Sequence, residues 1–236
     1  MITFYTQSDF DKAACNWVLE KGMTGNRSTW ILPTGSTPEG MYRELCNAHI
    51  RGNTDFKNIS FFNLDEYIGL PIDHPQSYHS YMHKNLYNVI KPNPEMIHIP
   101  RGWSKDTEKA CIEYDTLLDL AGIPEIAVLG VGNNGHIGFN EPGTNPALRT
   151  HIQTLSPSTR KANQRFFPGE ETPRQAITMG ISDIMKAKRV LLLINTQAKA
   201  AIVQTAFSNK PDANYPVSWL QRHPDLTIMY LQENNK

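Results

Sequence analysis

The segment Gly130-Val131-Gly132-Asn133-Asn134-Gly135-His136-Ile137-Gly138-Phe139-Asn140-Glu141-Pro142 places a histidine and a carboxylate in a glycine-rich loop, directly after an apolar run. Histidine moves protons near neutral pH, and a carboxylate hydrogen-bonded to its ring fixes the tautomer and favours the protonated form. His136 and Glu141 are therefore candidate general acid/base groups, and a histidine between glycines on a loop is hard to explain as core packing. Gly130 to Gly135 also matches the G-x-G-x-x-G dinucleotide fingerprint, but that pattern needs a helix after it and an acidic residue about 20 positions on. Gly138, Pro142 and Gly143 break any helix there, and no Asp or Glu occurs from Pro142 to Gly169. No nicotinamide cofactor is expected.

A second candidate site is Pro33-Thr34-Gly35-Ser36-Thr37-Pro38, where an apolar run turns into a helix. Gly35 allows close approach to the backbone, the hydroxyls of Thr34, Ser36 and Thr37 can donate, and Pro38 suits a first helical position. Free N–H groups at a helix start favour an anion, and a phosphate fits this description. The plain alternative is an ordinary turn with Thr37 as the helix N-cap. No Walker sequence occurs, so a nucleoside triphosphate is not implied, and nothing resembles the nucleophile elbow of a serine hydrolase. The third site is the adjacent pair Asp65 and Glu66 after the run Ile59 to Leu64. Neighbouring residues at a strand end point in different directions, so one of them faces a given ligand, and position alone does not choose which. Arg165 and Lys199 are the cations to watch, Lys199 because it lies beyond the end of another apolar run. His79 and His83 have the spacing of a helical metal pair, but the H-E-x-x-H glutamate is missing and the surrounding tyrosines suggest an amphipathic face. No metal is expected.

These candidates need elements to hold them. Ile2 to Tyr5, Thr29 to Leu32, Ile59 to Leu64, Ile126 to Leu129, Val190 to Ile194 and Leu226 to Leu231 read as strands. Helical periodicity fills the gaps: one helix announced by a capping-box start at Ser8-Asp9-Phe10-Asp11, then Thr37 to His49, Ser77 to Ile90, Asp106 to Leu120 and Gln197 to Phe207. That alternation argues for βαβ units, an α/β class and a largely parallel sheet, in which ligands bind beyond the carboxyl ends of the strands. A chain of 236 residues suits one domain, and the Pro- and Gly-bearing stretch 156–173 reads as an active-site loop or lid. Lys plus Arg total 23 and Asp plus Glu total 23, so no overall field attracts nucleic acid or an anionic membrane, and recognition of an anion must be local. Three widely spaced cysteines, with no leader or long apolar run, point to a reducing cytoplasmic compartment.

The whole chain closely resembles the glucosamine-6-phosphate deaminases, also called glucosamine-6-phosphate isomerases. The resemblance rests on Leu32-Pro33-Thr34-Gly35-Ser36-Thr37-Pro38, Leu64-Asp65-Glu66-Tyr67-Ile68-Gly69-Leu70, Ser77-Tyr78-His79-Ser80-Tyr81-Met82-His83 and Asn134-Gly135-His136-Ile137-Gly138-Phe139-Asn140-Glu141-Pro142. It implies a Rossmann-like sheet covered by helices, and conversion of glucosamine 6-phosphate and water to fructose 6-phosphate and ammonia, with no cofactor. It makes Asp65 the base that moves a proton between C2 and C1, and His136, supported by Glu141, the group that assists ring opening. Thr34, Gly35, Ser36 and Thr37, with Arg165 and Lys199, would hold the phosphate of a small-molecule substrate.

Many relatives carry aspartate where this chain has Asn134. An amide adds no negative charge beside His136, so Glu141 carries more of that role, and the pH optimum rather than the activity should differ. The chain stops at Lys236, short of the C-terminal segment of the allosteric hexameric relatives, so a monomer or small homo-oligomer without that regulation is expected. Two rivals remain on the sequence. The related 6-phosphogluconolactonases share a similar histidine loop, but Phe139-Asn140-Glu141-Pro142 departs from theirs. A silent sugar-phosphate sensor would need a DNA-binding module, and no recognizable one remains outside the domain.

Overall fold

The computed structural model describes residues 1–232; positions 233–236 of the expected single domain lie outside the described residues. In chain order, the first half comprises β1 (Ile2–Phe4), α1 (Gln7–Gly22), β2 (Ser28–Leu32), α2 (Glu39–Ile50), β3 (Ile59–Asn63), β4 (Asp65–Tyr67), α3 (Tyr78–Met82), α4 (Asn88–Ile90) and β5 (Ile97–His98). Then come α5 (Thr107–Ala121), β6 (Ile126–Gly130), β7 (His151–Thr154), α6 (Pro157–Asn163), β8 (Gln175–Thr178), α7 (Ile181–Ile184), β9 (Arg189–Ile194), α8 (Gln197–Phe207) and β10 (Leu226–Leu231).

All six apolar runs read as strands lie in one parallel sheet of order β1-β10-β9-β6-β2-β3-β5, covered by helices on both faces. Successive side chains of a strand point to opposite faces, and both faces here are apolar, which is why these strands read as continuous hydrophobic runs. Trp30, Leu32, Phe61, Val128, Leu191 and Leu193 pack under α1 and α2. Ile31, Phe62, Ala127, Leu129, Leu192 and Ile194 pack under α5, α7 and α8. From β2 the chain crosses to β3 on one side, and from β6 to β9 on the other. The strand order therefore reverses between β2 and β6, and a crevice opens beyond their carboxyl ends.

Several boundaries differ from expectation. Helix α1 starts before Ser8, because Thr6 is its cap: the Thr6 hydroxyl accepts the Asp9 N–H at 3.1 Å and donates to the Asp9 carboxylate at 2.7 Å. Asp11, freed from capping, turns inward and accepts from Arg43 of α2 at 2.8 Å. The stretch expected from Ser77 is helical over 78–90, with Ser77 as its extended cap, and widens into a π-helical turn at His83–Tyr87. A second sheet, antiparallel and of order β4-β8-β7, carries no apolar-run signal, and the periodicity did not reveal it. A single residue, Leu64, separates its first strand from β3, and that strand holds Asp65, Glu66 and Tyr67. The stretch 156–173 is not an irregular loop: Ser156 caps α6 by accepting the Thr159 N–H at 3.1 Å, and a 3-10 turn follows at Gln164–Phe166. All three cysteines are free and buried. Among the described residues no helix is long and apolar enough to cross a membrane.

Candidate active site

A cavity of about 460 Å³ opens at the strand-order reversal, and the three candidate strand ends meet in it. Its walls include Thr34, Gly35, Ser36 and Thr37 after β2, Asp65 after β3, His136 after β6, Lys199 at the start of α8, and Arg165 from the turn following α6. Asn134 and Glu141 do not line it; they stand behind His136.

After β6 no helix forms. The loop turns back on itself, with Gly132 N–H donating to His136 O at 2.9 Å and an isolated bridge between Ile137 and Asn140. That conformation rules out the dinucleotide reading, since the next helix is α6. Glycine is required at 132 because a Cβ there would overlap the His136 ring. The loop is pinned from below by buried Asn140, whose amide donates to Ile137 O at 2.9 Å and Met179 O at 2.8 Å, and by Thr178, whose hydroxyl accepts the Phe139 N–H at 3.0 Å.

Behind His136, the Asn134 side chain does two things. Its oxygen accepts the His136 N–H at 3.2 Å and its nitrogen donates to Glu141 Oε2 at 2.8 Å. The other Glu141 oxygen accepts the Ser156 N–H at 3.0 Å, tying the loop to the start of α6. The expected direct hydrogen bond between Glu141 and the imidazole is not made: Nδ1 lies 3.9 Å from Oε2, and its nearer polar neighbour is the Thr159 hydroxyl at 3.5 Å. Glu141 thus acts on His136 through its charge. Burial lowers the His136 pKa, Glu141 opposes that, and Lys199 adds to it, so the ring favours its neutral form.

On another wall one hydroxyl and one amide oxygen orient a lysine. Lys199 Nζ donates to Thr37 Oγ1 and to Asn195 Oδ1, each at 3.2 Å, and the Thr37 hydroxyl donates to Asn195 Oδ1 at 3.1 Å. Thr37 is therefore not the α2 cap; helix α2 starts after Pro38, which makes no side-chain cap bond, and the Thr37 hydroxyl serves the cavity instead. Thr196 caps α8 by accepting the Lys199 N–H at 3.3 Å. Burial lowers the Lys199 pKa and nearby Arg165 lowers it further, since two cations face the same space. Tyr81 OH donates to Gly35 O at 2.6 Å and fixes the loop from the opposite wall.

Asp65 and Glu66 separate as strand geometry requires. Asp65 lines the cavity, while Glu66 faces away and accepts three backbone N–H groups. Burial pushes the Asp65 carboxyl well above the usual range, and the neighbouring Glu66 adds to the rise. Residues that sequence reasoning missed are Tyr78, Thr159 and Thr178, for which no spacing signal exists, and Asn195. Asn195 follows β9 directly, so the rule that placed Lys199 at a strand end could have found it. Among the described residues no group of three or more His, Cys, Asp or Glu comes together as a metal site; the His79 and His83 rings lie against each other at a tilt, with centroids 4.4 Å apart.

Residues 9–229 match the family model described as glucosamine-6-phosphate isomerases/6-phosphogluconolactonase. A glucosamine-6-phosphate deaminase of Thermoanaerobacter pseudethanolicus is 46% identical over 203 residues, 86% of this chain and 80% of the relative. Glucosamine-6-phosphate deaminase 1 of Bacillus subtilis is 45% identical over 203 residues, 86% of this chain and 84% of the relative. Among solved structures, a monomeric glucosamine-6-phosphate deaminase superposes with a TM-score of 0.94 at 40% identity, covering 98% of this chain and 97% of the other. A 6-phosphogluconolactonase from Thermotoga maritima shares the fold at a TM-score of 0.77 and 20% identity, covering 98% of this chain and 99% of the other.

Proposed function

The chain belongs to the glucosamine-6-phosphate isomerase/6-phosphogluconolactonase family, and on that footing we propose that it is a glucosamine-6-phosphate deaminase, with Asp65 as its isomerising base and His136 as its ring-opening group. The observation that carries this reading is the meeting of a buried carboxylate, a neutral-leaning imidazole and a hydroxyl-held lysine around one small cavity.

The substrate phosphate lies on the loop Thr34, Gly35, Ser36 and Thr37, where Lys199 and Arg165 offset its charge of about −1.5 to −2. His136 takes the proton of the C1 hydroxyl and returns one to the ring oxygen, opening the sugar. Glu141, held by Asn134, stabilises the imidazolium that forms in between. Asp65 removes the C2 proton and delivers it to C1, while the amine gives up a proton and the C1 oxygen takes one up, leaving a hydroxyl at C1 and an imine at C2; water adds there and ammonia leaves, so one water is consumed for each ammonia released. A carboxylate kept out of water is a stronger base for this carbon acid than an exposed one, and general base catalysis is most effective with a pKa near the working pH.

The segment 156–173 acts as a lid over this site, since α6 delivers Thr159 and Asn163 to the cavity and the turn after it delivers Arg165. The enzyme works in the cytoplasm as a monomer or small homo-oligomer on a small sugar phosphate, without a cofactor. Incubating purified protein with glucosamine 6-phosphate tests the reading: fructose 6-phosphate and ammonia should form in equal amounts. Ring-opened 6-phosphogluconate from the lactone, with no ammonia from the amino sugar, would overturn it.

A further inference from the structure

Glu66 is a buried carboxylate for which the proposed chemistry has no task. It follows Asp65 in β4, so its side chain leaves the opposite face of the strand. There Oε1 accepts the N–H groups of Tyr67 at 2.8 Å and Tyr78 at 2.9 Å, and Oε2 accepts that of His79 at 2.9 Å. Tyr78 and His79 open α3, where N–H groups have no partners within the helix. Gly102 closes the other side: a Cβ there would overlap the Tyr67 carbonyl and lie 3.1 Å from Glu66 Cγ.

Helix α3 also faces the cavity. Tyr78 lines the cavity, and Tyr81 OH holds the Gly35 carbonyl at 2.6 Å. One carboxylate therefore ties the strand bearing Asp65 to the helix that braces the anion loop. Its charge matters as much as its contacts. The titratable side chains that face Asp65 from the packed elements are Tyr42 of α2, Tyr67 of β4, Tyr78 of α3 and Tyr114 of α5, all phenols held neutral by burial. Glu66 is the charged neighbour that acts on Asp65. Burial pushes the Glu66 carboxyl up to about 7, and its three N–H donors pull the other way, so it is ionised as the pH rises past neutrality.

We infer that Glu66 is a positioning residue for the reaction: it holds β4 against the start of α3 and keeps a negative charge one residue from Asp65. The inference rests on Asp65 being that base. Glu66→Gln keeps the shape and retains a carbonyl acceptor for the Tyr67 and Tyr78 N–H groups, but removes the charge. The acid limb of kcat/KM against pH, where Asp65 ionises, should move down by about one unit, and plateau kcat should fall roughly three- to tenfold as the base weakens. Glu66→Asp keeps the charge on a shorter arm; its acid limb should stay in place while KM rises.

An acid limb unmoved in Glu66→Gln overturns the inference, because a purely structural cap would change stability or KM alone. Should Glu66→Gln fail to fold, carboxyl 13C titration of the wild type decides: Asp65 and Glu66 should each show both steps of a coupled pair, and two independent single-step curves overturn the proposal. Asp65→Asn runs alongside. Wild-type turnover in that variant removes the base itself, whereas an inactive Asp65→Asn with an unmoved limb in Glu66→Gln removes only the role of Glu66.

Discussion

The amide of Asn134 donates to Glu141 Oε2 at 2.8 Å, while the nearest ring nitrogen of His136 stands 3.9 Å from the same oxygen. The carboxylate that acts on the histidine is thus held by an asparagine and acts across space. Asn134→Asp would set two carboxylates against each other, add negative charge behind the imidazole and raise its affinity for a proton. The acid limb of kcat/KM, to which the ring contributes because its neutral form takes the C1 hydroxyl proton, should move upward by about half a unit to one unit. A limb that stays where it is in the wild type would show that position 134 matters only for loop shape.

Glu141→Gln removes the charge that opposes desolvation of His136, so the histidine pKa should fall further and turnover of the cyclic substrate should slow. An analogue that cannot close its ring gives the imidazole no ring-opening step to assist, and the loss should shrink with it. Equal losses on cyclic and open-chain substrates would place the pair in isomerisation or binding instead.

At the anion end the two cations should not be equivalent. Lys199 is half-buried and held by Thr37 and Asn195, whereas Arg165 is exposed at the mouth. Each alanine variant should weaken binding of the phosphorylated sugar by about 1.5–3 kcal/mol, with Lys199→Ala toward the larger figure. Inorganic phosphate should compete in the wild type. Unchanged KM and kcat/KM in both variants would return these residues to the surface.

Asp65 should also leave a mark on stability. Its folded pKa is raised above the unfolded value, so the folded state keeps a proton that the unfolded chain has lost. Its stabilising contribution is complete below the unfolded carboxyl range and falls away as pH rises toward the folded pKa. Asparagine cannot ionise, so the Tm of Asp65→Asn relative to wild type should climb as the pH rises above the unfolded carboxyl range, by about 2–4 °C for each kcal/mol of relief. A difference independent of pH would mean that Asp65 is not desolvated.

Much of this was legible in the residues. The central strands announced themselves because burial on both faces needs unbroken apolar runs, and the strand-end rule then placed the Thr34–Thr37 loop, Asp65, His136 and Lys199 near one another. The sheet β4-β8-β7 stayed hidden because its strands span three or four residues, too few for alternation to show. The choice between Asp65 and Glu66 came from family resemblance; in the structure Asp65 lines the cavity, while Glu66 is committed to three backbone N–H groups. The bridge from Asn134 to Glu141 had no sequence signal, because it depends on how tightly the glycine loop turns.

The most direct test of the account is Asp65→Asn assayed beside the wild type in deuterated solvent. The change is nearly isosteric and should leave the fold intact while kcat falls by about 10² to 10⁴, the scale of a lost general base. Wild-type enzyme should place solvent deuterium at C1 of fructose 6-phosphate, since the transferred proton passes through the Asp65 carboxyl. Wild-type-like turnover in Asp65→Asn, with the same deuterium at C1, would contradict the account at its centre.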